Sequence, residues 1–366
     1  MLIFLNNMNS NPLAHDLDYI LDKTLPLWEE LREQRIFITG GTGFFGCWLL
    51  ESFAWINNKL DLNAEAVVLT RNVTRFANRH PQLFHSPSLR FHEGDVRNFV
   101  YPSHHFSHVI HAATDTNAKL NQEDPLAIFD GILQGTKHTL EFARKCKAKK
   151  ILLTSSGAIY GKQPSELTHI PESYPGQAYL TTPKSTYGVG KCAAEHLGYL
   201  YASQHGLDIK IARCFAFVGP YLPLDEHFAI GNFIHNSLQG QTIEIKGDGT
   251  PFRSYLYAAD LAIWLWTILF KGKTAYPYNV GSDEDYSLAD VAQVVANTSN
   301  KSIAVNVKQA KPENHQVERY VPNIDRAREE LQLAPHVKLI DAVNRTRAWH
   351  LKSLEYKSSD QEAILT

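Results

Sequence analysis

The chain has few cysteines and no long apolar run. Its 366 residues include four cysteines scattered along the sequence, a spacing that predicts neither a disulfide framework nor a zinc site and is typical of a reducing compartment. The most apolar stretch, residues 261–270, is far shorter than the roughly 20 residues of a membrane span. The first residues lack the basic region and apolar core of a signal peptide. We therefore expect a soluble cytoplasmic protein with no metal and no membrane partner.

The charge balance also lacks an excess of either sign. Lysine and arginine number 36 against 38 aspartates and glutamates, for a net charge of −2, and no block of like charge interrupts the chain. This excludes the basic surface expected of a nucleic-acid-binding protein. Hydrophobic residues make up 44% of the sequence, enough to bury a core in one large domain or two smaller ones.

What the chain does have is alternation of short β-rich runs with helical patterns. The predicted strands are Ile36–Thr39, Ala66–Thr70, Leu89–His92, His108–Ala112, Lys150–Ser155 and Asp208–Phe215. The predicted helices between them are Phe45–Asn57, Pro125–Lys147 and Ser185–Gln204. Such alternation predicts an α/β fold of the Rossmann type, with a doubly wound parallel sheet and helices on both faces.

The regions outside this alternation suggest a division into domains. Residues 1–34 are predicted to form an N-terminal helical extension that packs on the fold. A role in oligomer contact or in closure over the substrate is the alternative to this packing role. Residues 35–219 form the predicted Rossmann domain. Residues 220–350 form a smaller mixed α/β lobe over the carboxyl ends of the strands, and residues 351–366 a frayed tail. The elements predicted in the lobe are helices at Ala229–Leu238, Asp260–Phe270, Leu288–Thr298 and Asp325–Leu331 and strands at Ile243–Lys246 and Tyr255–Tyr257.

A glycine-rich turn follows the first predicted strand. Gly40, Gly43 and Gly46 form a G-x-x-G-x-x-G pattern that runs into a helix. The missing Cβ atoms permit a tight turn and a close approach of backbone N–H groups to a pyrophosphate, and the helix N-terminus adds a partial positive charge. The pattern predicts a dinucleotide site, and we expect its neighbours Thr42, Phe44 and Phe45 to contribute.

The second strand ends in Thr70-Arg71 rather than in an acidic residue. A carboxylate there would bind both ribose hydroxyls of NAD, whereas the Arg71 guanidinium suits a 2′-phosphate. The expected cofactor is therefore NAD(P), with NADP favoured over NAD, although an arginine that stacks on adenine would suit either.

Later strand ends supply further candidate cofactor contacts. Asp95 follows the third strand and could accept a hydrogen bond from the adenine amino group. Ala112 and Ala113 follow the fourth, where small side chains let a cofactor pass close to the backbone. The remaining residues expected to contact the cofactor are Val96, Thr114, Tyr187, Lys191, Phe215 and Val218.

A tyrosine and a lysine lie one helical turn apart, downstream of this fingerprint. Tyr187 and Lys191 project from the same helix face. Because an adjacent ammonium favours the phenolate, we expect Lys191 to lower the pKa of Tyr187 and to hydrogen-bond the nicotinamide ribose. Ser156, at the end of the preceding strand, is the expected third catalytic group, with Ser155 as the alternative.

These motifs together resemble the extended short-chain dehydrogenase/reductase superfamily, specifically the NAD-dependent epimerase/dehydratase family that acts on nucleotide sugars. The resemblance covers roughly residues 35–333. Its motifs are Thr39–Gly46, Gly94–Val96, His111–Ala113, Ser155–Gly161, Tyr187 with Lys191, Arg213–Pro220, Gly247–Tyr255 and Tyr278–Gly281.

The resemblance implies oxidation of a sugar at C4, with Tyr187 and Ser156 handling the hydroxyl proton. Family 4,6-dehydratases carry an Asp-Glu pair after the catalytic hydroxyl residue, but Gly157 and Ala158 stand here and cannot transfer protons. A 4-epimerase is therefore the leading expectation. An NADPH-dependent 4-keto reductase comes next, followed by a dehydratase and by a non-catalytic cofactor-binding scaffold.

The resemblance also implies where a nucleotide-diphosphate sugar binds. Arg253 could pair with the diphosphate, with Arg319 as a second clamp, although both could instead be surface residues. The other expected substrate contacts are Ser155, Tyr160 as a wall of the sugar pocket, Ala216 in the place of a family asparagine, and Asn232. Helices Pro125–Lys147 and Ser185–Gln204 resemble the pair through which family members dimerise, so a homodimer is expected.

Overall fold

Fourteen strands and eleven helices are present in the part of the chain that the structure describes. This computed structural model describes residues 11–114, 123–176, 179–226, 228–310 and 317–364. The strands are β1 (Arg35–Thr39), β2 (Glu65–Thr70), β3 (Leu89–Glu93), β4 (His108–His111), β5 (Lys150–Ser156), β6 (Ile209–Cys214), β7 (Phe217–Val218), β8 (Ile243–Ile245), β9 (Phe252–Ser254), β10 (Leu256–Tyr257), β11 (Pro277–Val280), β12 (Asp285–Ser287), β13 (Val305–Val307) and β14 (Arg319–Tyr320). The helices are α1 (Ala14–Thr24), α2 (Phe44–Lys59), α3 (Val73–Arg79), α4 (Pro81–Phe84), α5 (Pro125–Cys146), α6 (Thr186–His205), α7 (Ala229–Gln239), α8 (Ala258–Lys271), α9 (Leu288–Asn297), α10 (Asp325–Leu331) and α11 (Leu339–Ile364), with 3-10 helices at Leu25–Leu31, Gly157–Tyr160 and Pro183–Ser185.

A seven-stranded parallel sheet forms the centre of the fold, in the order β3-β2-β1-β4-β5-β6-β11. The chain reverses direction along the sheet between β1 and β4, which creates a crevice at the carboxyl ends of these strands. The predicted Rossmann-type class is confirmed, together with its six strands. The seventh strand, β11, was not predicted, because four residues beginning with proline give little period-two signal.

Both faces of the sheet are covered, which explains the apolar character of its central strands. In β1, Ile36 and Ile38 face one core cluster and Phe37 faces the other, and none of the three is exposed to solvent. Helix α8 is buried from end to end against one face. Residues 14–31 pack outside this helix, where Trp28 meets Trp266 with ring centroids 4.7 Å apart.

The smaller lobe contains a three-stranded sheet in the order β12-β9-β14 and a two-stranded pair of β13 with β8. The strand predicted at Tyr255–Tyr257 corresponds to β10, which pairs with β7, whereas the preceding strand β9 joins the lobe sheet and was not predicted. After the first lobe elements, the chain thus returns to the main sheet through β11. The domain boundary predicted at Gly219 stays a prediction. The tail predicted from residue 351 continues α11 to Ile364. No helix in the described ranges is both long and apolar enough to span a membrane.

Candidate active site

The glycine turn lies between β1 and α2, and its three glycines differ in the space that a Cβ atom would have. Gly40 adopts φ +72°, and a Cβ there would lie 2.4 Å from the carbonyl carbon of Ala112. A Cβ on Gly46 would lie 2.3 Å from the carbonyl oxygen of Gly40, so both positions are closed by the protein's own backbone. Gly43 is exposed at the N-cap of α2, and a Cβ there would meet only the Gly40 oxygen, at 3.6 Å. This open backbone at a helix N-terminus suits the pyrophosphate of a dinucleotide.

A buried histidine fixes the strand end opposite this turn. The Nδ1 of His111 lies 2.9 Å from the Thr39 hydroxyl, and its Nε2 lies 3.1 Å from the Thr136 hydroxyl. The backbone N–H of Ala113 also donates to the Thr39 oxygen, at 3.3 Å. Burial, helped by the charge of Lys191, lowers the pKa of His111 to about 3, so the ring is neutral. His111 therefore holds the end of β4, a role that its sequence position did not indicate.

The adenosine end of the predicted cofactor site contains charged side chains. The Arg97 guanidinium donates to both carboxylate oxygens of Asp95, at 2.8 and 2.9 Å. These hydrogen bonds, and more weakly the charge of Arg71, hold the pKa of Asp95 below its usual range. Asp95 thus has an internal partner, and its Oδ2 keeps an acceptor position for an adenine amino group. The neighbouring Val96 side chain packs on α5, where a Cβ at Gly135 would lie 2.9 Å from it.

The remaining cofactor candidates differ in accessibility. Phe44 and Phe45 are partly buried at the start of α2, and Phe45 packs edge-on against Phe217 with centroids 5.0 Å apart. Thr42 is also partly buried. Val218 is completely buried in β7, so its predicted contact could use only the backbone.

Lys191 is buried, and its ammonium group is directed by two acceptors. Its Nζ donates to the Thr114 hydroxyl at 2.7 Å and to the backbone carbonyl of Thr154 at 2.8 Å. Only 4% of the residue is exposed, and burial lowers its pKa to about 8 against opposing effects of Cys214 and Glu195. Thr114 was predicted as a cofactor contact, whereas the Thr154 carbonyl was missed because backbone acceptors leave no sequence signal.

Tyr187 lies on the same face of α6 as Lys191, but the expected effect of the lysine on its pKa is wrong for the protein alone. The Lys191 Nζ is 5.9 Å from the centre of the Tyr187 ring and is directed at its two acceptors. Burial raises the pKa of Tyr187 to about 12, and a hydrogen bond with Ser156 opposes that rise. Desolvation therefore dominates the pKa of this phenol, and Lys191 is not among the groups that shift it.

Ser156, not Ser155, lies near Tyr187. Successive residues of β5 point to opposite faces of the sheet, so the two serines cannot share one site. The Ser156 oxygen accepts a hydrogen bond from the Ala158 N–H at 3.1 Å and interacts with the Tyr187 phenol. The Ser155 hydroxyl is buried with no hydrogen-bond partner among the described residues. Its expected roles as alternative catalyst and substrate contact have no support in this placement.

Tyr320 lies beside the residue that follows Ser156, and sequence reasoning missed it. Its ring packs on Phe215 with centroids 4.7 Å apart, and burial raises the pKa of its phenol, a rise that the nearby Ser156 opposes. A Cβ at Gly157 would lie 2.7 Å from the Tyr320 hydroxyl oxygen. Tyr320 belongs to a strand of only two residues, far from Ser156 in sequence, so no local pattern could have indicated this contact.

The two predicted phosphate clamps lie on opposite faces of the lobe sheet. Arg253 pairs in register with Tyr320 and therefore shares its face, and its charge lowers the pKa of that tyrosine. Its guanidinium is ion-paired with Glu318. Arg319 points the other way because strand residues alternate, and it pairs with Asp285 and stacks on a phenylalanine ring. This placement favours Arg253 over Arg319 as a clamp, and a substrate contact by either stays a prediction.

The other substrate candidates have structural contacts. Tyr160 is 1% exposed, donates to the Asn279 side chain at 2.8 Å and accepts from Arg213 at 2.8 Å, so its hydroxyl serves a buried network. Asn232 donates to the carbonyl of Glu226 at 2.8 Å and closes the loop before α7. Ala216 is partly buried, and its carbonyl accepts from Leu256 at 3.0 Å. Substrate contacts by these residues stay predictions.

The doubly wound sheet, the open glycine turn and the Ser156–Tyr187–Lys191 set define a dinucleotide-dependent enzyme of the Rossmann class. Residues 36–281 match the NAD-dependent epimerase/dehydratase family, and the chain belongs to it. The predicted family and the prediction of an enzyme are thereby confirmed.

Three known proteins illustrate the similarity. UDP-glucuronic acid decarboxylase 3 of Arabidopsis thaliana is 29% identical over 306 residues, which cover 83% of this chain and 85% of the relative. The UDP-glucose 4-epimerase of Thermotoga maritima, solved with UDP-glucose, has a TM-score of 0.74 at 21% identity and covers 87% of this chain and 99% of its own. The Bordetella bronchiseptica enzyme WbmF, solved with NAD+ and UDP, has a TM-score of 0.73 at 20% identity. The match covers 90% of this chain and 96% of the WbmF chain.

Proposed function

We propose that the chain is an NAD(P)-dependent nucleotide-sugar 4-epimerase that works through a transient 4-keto sugar. The observation that carries this proposal is the neutral centre around Ser156 and Tyr187. Gly157 and Ala158 follow the catalytic serine and offer no group for proton transfer, which argues against dehydration. Oxidation at C4 and return of the hydride to the other face need only one acid/base pair.

Each catalytic side chain has a role that its contacts support. Tyr187 takes the proton of the C4 hydroxyl and later returns it, while Ser156 hydrogen-bonds the same oxygen. Lys191, held by Thr114 and the Thr154 carbonyl, positions its ammonium beside the tyrosine ring and within reach of a ribose. The bound oxidised nicotinamide supplies the hydride acceptor. The residues suited to hold the cofactor are the open Gly43 turn, Thr114 and Lys191.

The proposed substrate is a UDP-hexose. The relatives named above act on or were solved with UDP-sugars or UDP. Arg253 faces the same side as Tyr320 and is suited to a diphosphate, which would displace Glu318 from the guanidinium. The side chains packed beside Gly157 are those of Tyr320 and Phe215, both uncharged, which favours a neutral hexose.

The cofactor preference is a separate part of the proposal. Arg71 is exposed after β2, and its charge lowers the pKa of Asp95, which places it and Arg97 at the expected adenosine end. Two guanidinium groups there favour the 2′-phosphate of NADP. This same observation favours the second candidate, an NADPH-dependent 4-keto nucleotide-sugar reductase.

A third candidate is decarboxylation of a nucleotide-linked uronic acid, favoured by the 29% identity to the Arabidopsis decarboxylase. A 4-keto intermediate would serve that reaction too, because a carboxylate β to a ketone leaves readily as carbon dioxide. The substrate carboxylate would need a cation, however, and the two side chains nearest to Gly157, Tyr320 and Phe215, carry none.

We also propose a cytoplasmic homodimer. Helices α5 and α6 pack together along one side of the molecule, and α6 exposes Tyr199, 55% accessible. All four cysteines are free, in keeping with a reducing compartment.

The test is incubation of the purified protein with UDP-, GDP-, CDP- and dTDP-hexoses and UDP-glucuronic acid, followed by mass spectrometry of the products and of the released cofactor. An isomer of unchanged mass, formed without added cofactor, supports a 4-epimerase. Loss of water or of carbon dioxide contradicts it. Turnover only with NADPH and a 4-keto sugar would establish the reductase instead.

A further inference from the structure

Helix α6, which carries the catalytic tyrosine, packs closely on the 3-10 turn Gly157–Tyr160, here called the serine turn because it follows the catalytic serine. A Cβ at Gly188 would lie 2.5 Å from the carbonyl oxygen of Ala158. One helical turn later, the Cys192 thiol donates to the carbonyl of Ile159 at 3.7 Å. Positions 188 and 192 are four residues apart and share one face of α6. The serine turn therefore lies directly against the catalytic helix.

A buried ion pair continues this contact one turn further along α6. The Arg213 Nε lies 3.1 and 3.2 Å from the two carboxylate oxygens of Glu195, and its Nη2 donates to one of them at 2.8 Å. The two side chains are only 13% and 12% exposed. Because breaking a buried ion pair leaves an uncompensated charge, the carboxylate on α6 is held to the guanidinium on β6.

Another arm of the Arg213 guanidinium binds the serine turn. Its Nη1 donates to the Tyr160 hydroxyl at 2.8 Å and to the backbone carbonyl of Glu172 at 3.2 Å. The guanidinium carbon also lies 5.1 Å from the centre of the Tyr160 ring. Since the guanidinium is planar and presents its donors in a fixed geometry, one rigid group joins the helix of Tyr187 to the turn that follows Ser156.

The Tyr160 hydroxyl extends this connection into the smaller lobe. It donates to the side-chain oxygen of Asn279 at 2.8 Å. The Asn279 amide group in turn donates to the carbonyls of Ile170 at 2.9 Å and Asn323 at 3.0 Å. Asn323 lies in the lobe, three residues after the end of β14. A chain of hydrogen bonds therefore runs from the lobe through Arg213 to the catalytic helix.

We propose that Arg213 is a positioning residue, whose guanidinium joins α6 to the serine turn and thereby sets the separation between Tyr187 and Ser156 during the reaction. This inference rests on the proposed function. A lysine would still neutralise Glu195, but one ammonium cannot reproduce the planar fork that also holds the Tyr160 hydroxyl. Arg213 itself exchanges no proton with the substrate, because its guanidinium stays charged.

The first test is Arg213→Lys, which keeps a charge for Glu195 and loses the fork. We expect kcat to fall about 10- to 100-fold with KM within about twofold, because a misplacement of about 1 Å can cost that much in rate. The matched control is Lys210→Met on the same strand, which breaks a buried ion pair with Asp208 near the other end of β6. The control should unfold at a lower temperature and keep the wild-type kcat.

Two outcomes of this first test would overturn the proposal. One is a wild-type kcat in Arg213→Lys. The other is an equal fall in kcat for Lys210→Met, which would show that the rate follows stability alone.

The second test is Tyr160→Phe, which removes one hydroxyl and leaves the ion pair of Arg213 with Glu195 in place. We expect kcat to fall by a smaller factor, about 3- to 10-fold, as for the loss of one hydrogen bond, with KM unchanged. If both substitutions act through the same link, the double variant should be no slower than Arg213→Lys alone. Multiplied losses would overturn the proposal. So would a raised KM with an unchanged kcat, which would assign Tyr160 to the sugar pocket.

A structural measurement separates this inference from the proposed function. Crystal structures of the wild-type protein and of Arg213→Lys should show α6 displaced from the serine turn in the variant, with the Tyr187 hydroxyl about 1 Å farther from the Ser156 oxygen. An equal separation in the two structures would overturn the inference. A wild-type protein that turns over no nucleotide sugar would overturn the proposed function, while the two structures would still decide the role of Arg213.

Discussion

The catalytic centre and the outer ends of the site are built from different groups. At the centre, Ser156 is 7% exposed and lies with the uncharged phenols of Tyr187 and Tyr320, and the ammonium of Lys191 is buried beside them. At the outer ends, guanidinium groups pair with carboxylates at partly exposed positions, as in Arg253 with Glu318 and Arg97 with Asp95. The hydroxyls of the centre are uncharged and largely buried, whereas the ends carry paired charges at partly exposed positions.

Because of this difference, we expect the centre to determine the rate of the reaction and the outer ends to determine the affinity for ligands. The hydroxyls at the centre are positioned by the protein alone, so a reacting sugar meets groups that need little reorganisation. The arginines at the ends already have internal partners, and a phosphate must replace a carboxylate to bind them. We therefore expect substitutions at the centre to change kcat and substitutions at the ends to change KM.

The largest effect should come from Tyr187→Phe, which removes the acid/base group and keeps the ring. We expect kcat to fall about 10³-fold or more, as for loss of a positioned general base, with cofactor affinity little changed. Steady-state kinetics and cofactor titration would measure both. Tyr199→Phe on the same helix, at a residue 55% exposed, is the control and should keep wild-type kcat. A fall in KM and kcat together with weakened cofactor binding would indicate a structural role for Tyr187 instead.

The glycine turn offers a matched pair of alanine substitutions. Gly40→Ala places a methyl group 2.4 Å from the Ala112 backbone at φ +72°, so we expect a loss of roughly 3 kcal/mol or more in stability. Gly43→Ala meets only one atom, at 3.6 Å, so the fold should remain while cofactor affinity falls about tenfold. Thermal unfolding and cofactor titration distinguish the two. Equal stability of the two variants would contradict the difference in packing between Gly40 and Gly43.

At the charged end, Arg253→Gln should raise KM about tenfold and leave kcat within about twofold, because a diphosphate contact is lost equally in ground and transition states. The raised KM should also depend less on salt than the wild-type value. Arg319→Gln is the control on the opposite face of the same sheet. An equal rise in KM for both variants would show that the strand alternation does not determine which arginine meets the substrate.

The effect that is smallest near neutral pH, and grows only on acidification, concerns the buried His111. Its pKa is lowered from 6.5 to about 3 in the folded protein, so below pH 6.5 the unfolded chain binds a proton that the folded chain does not. Stability from this group is complete above pH 6.5 and is lost, at about 1.4 kcal/mol per pH unit, as the pH falls toward 3. His111→Gln cannot titrate. The stability difference between the wild-type protein and this variant should therefore shrink on acidification, and a constant difference would contradict neutral burial of the ring.

Sequence patterns predicted the parts of the site that depend on local spacing. The glycine turn follows a strand, Tyr187 and Lys191 share a helix face, and Ser156 ends a strand, so each could be located from its neighbours. The approach of Tyr320 to Gly157 depends on how the lobe sheet packs over the end of β5, and which of Arg319 and Tyr320 faces inward depends on the register of a two-residue strand. The pKa of Tyr187 likewise depends on burial, which spacing does not reveal.

The measurement that tests the central claim most directly is isotope tracing with a UDP-hexose that carries deuterium at C4. If Tyr187 and Ser156 catalyse oxidation at C4 with return of the same hydride, the product is an isomer of unchanged mass that retains the deuterium at C4. Loss of the label to solvent, or a product that has lost water or carbon dioxide, would contradict the account.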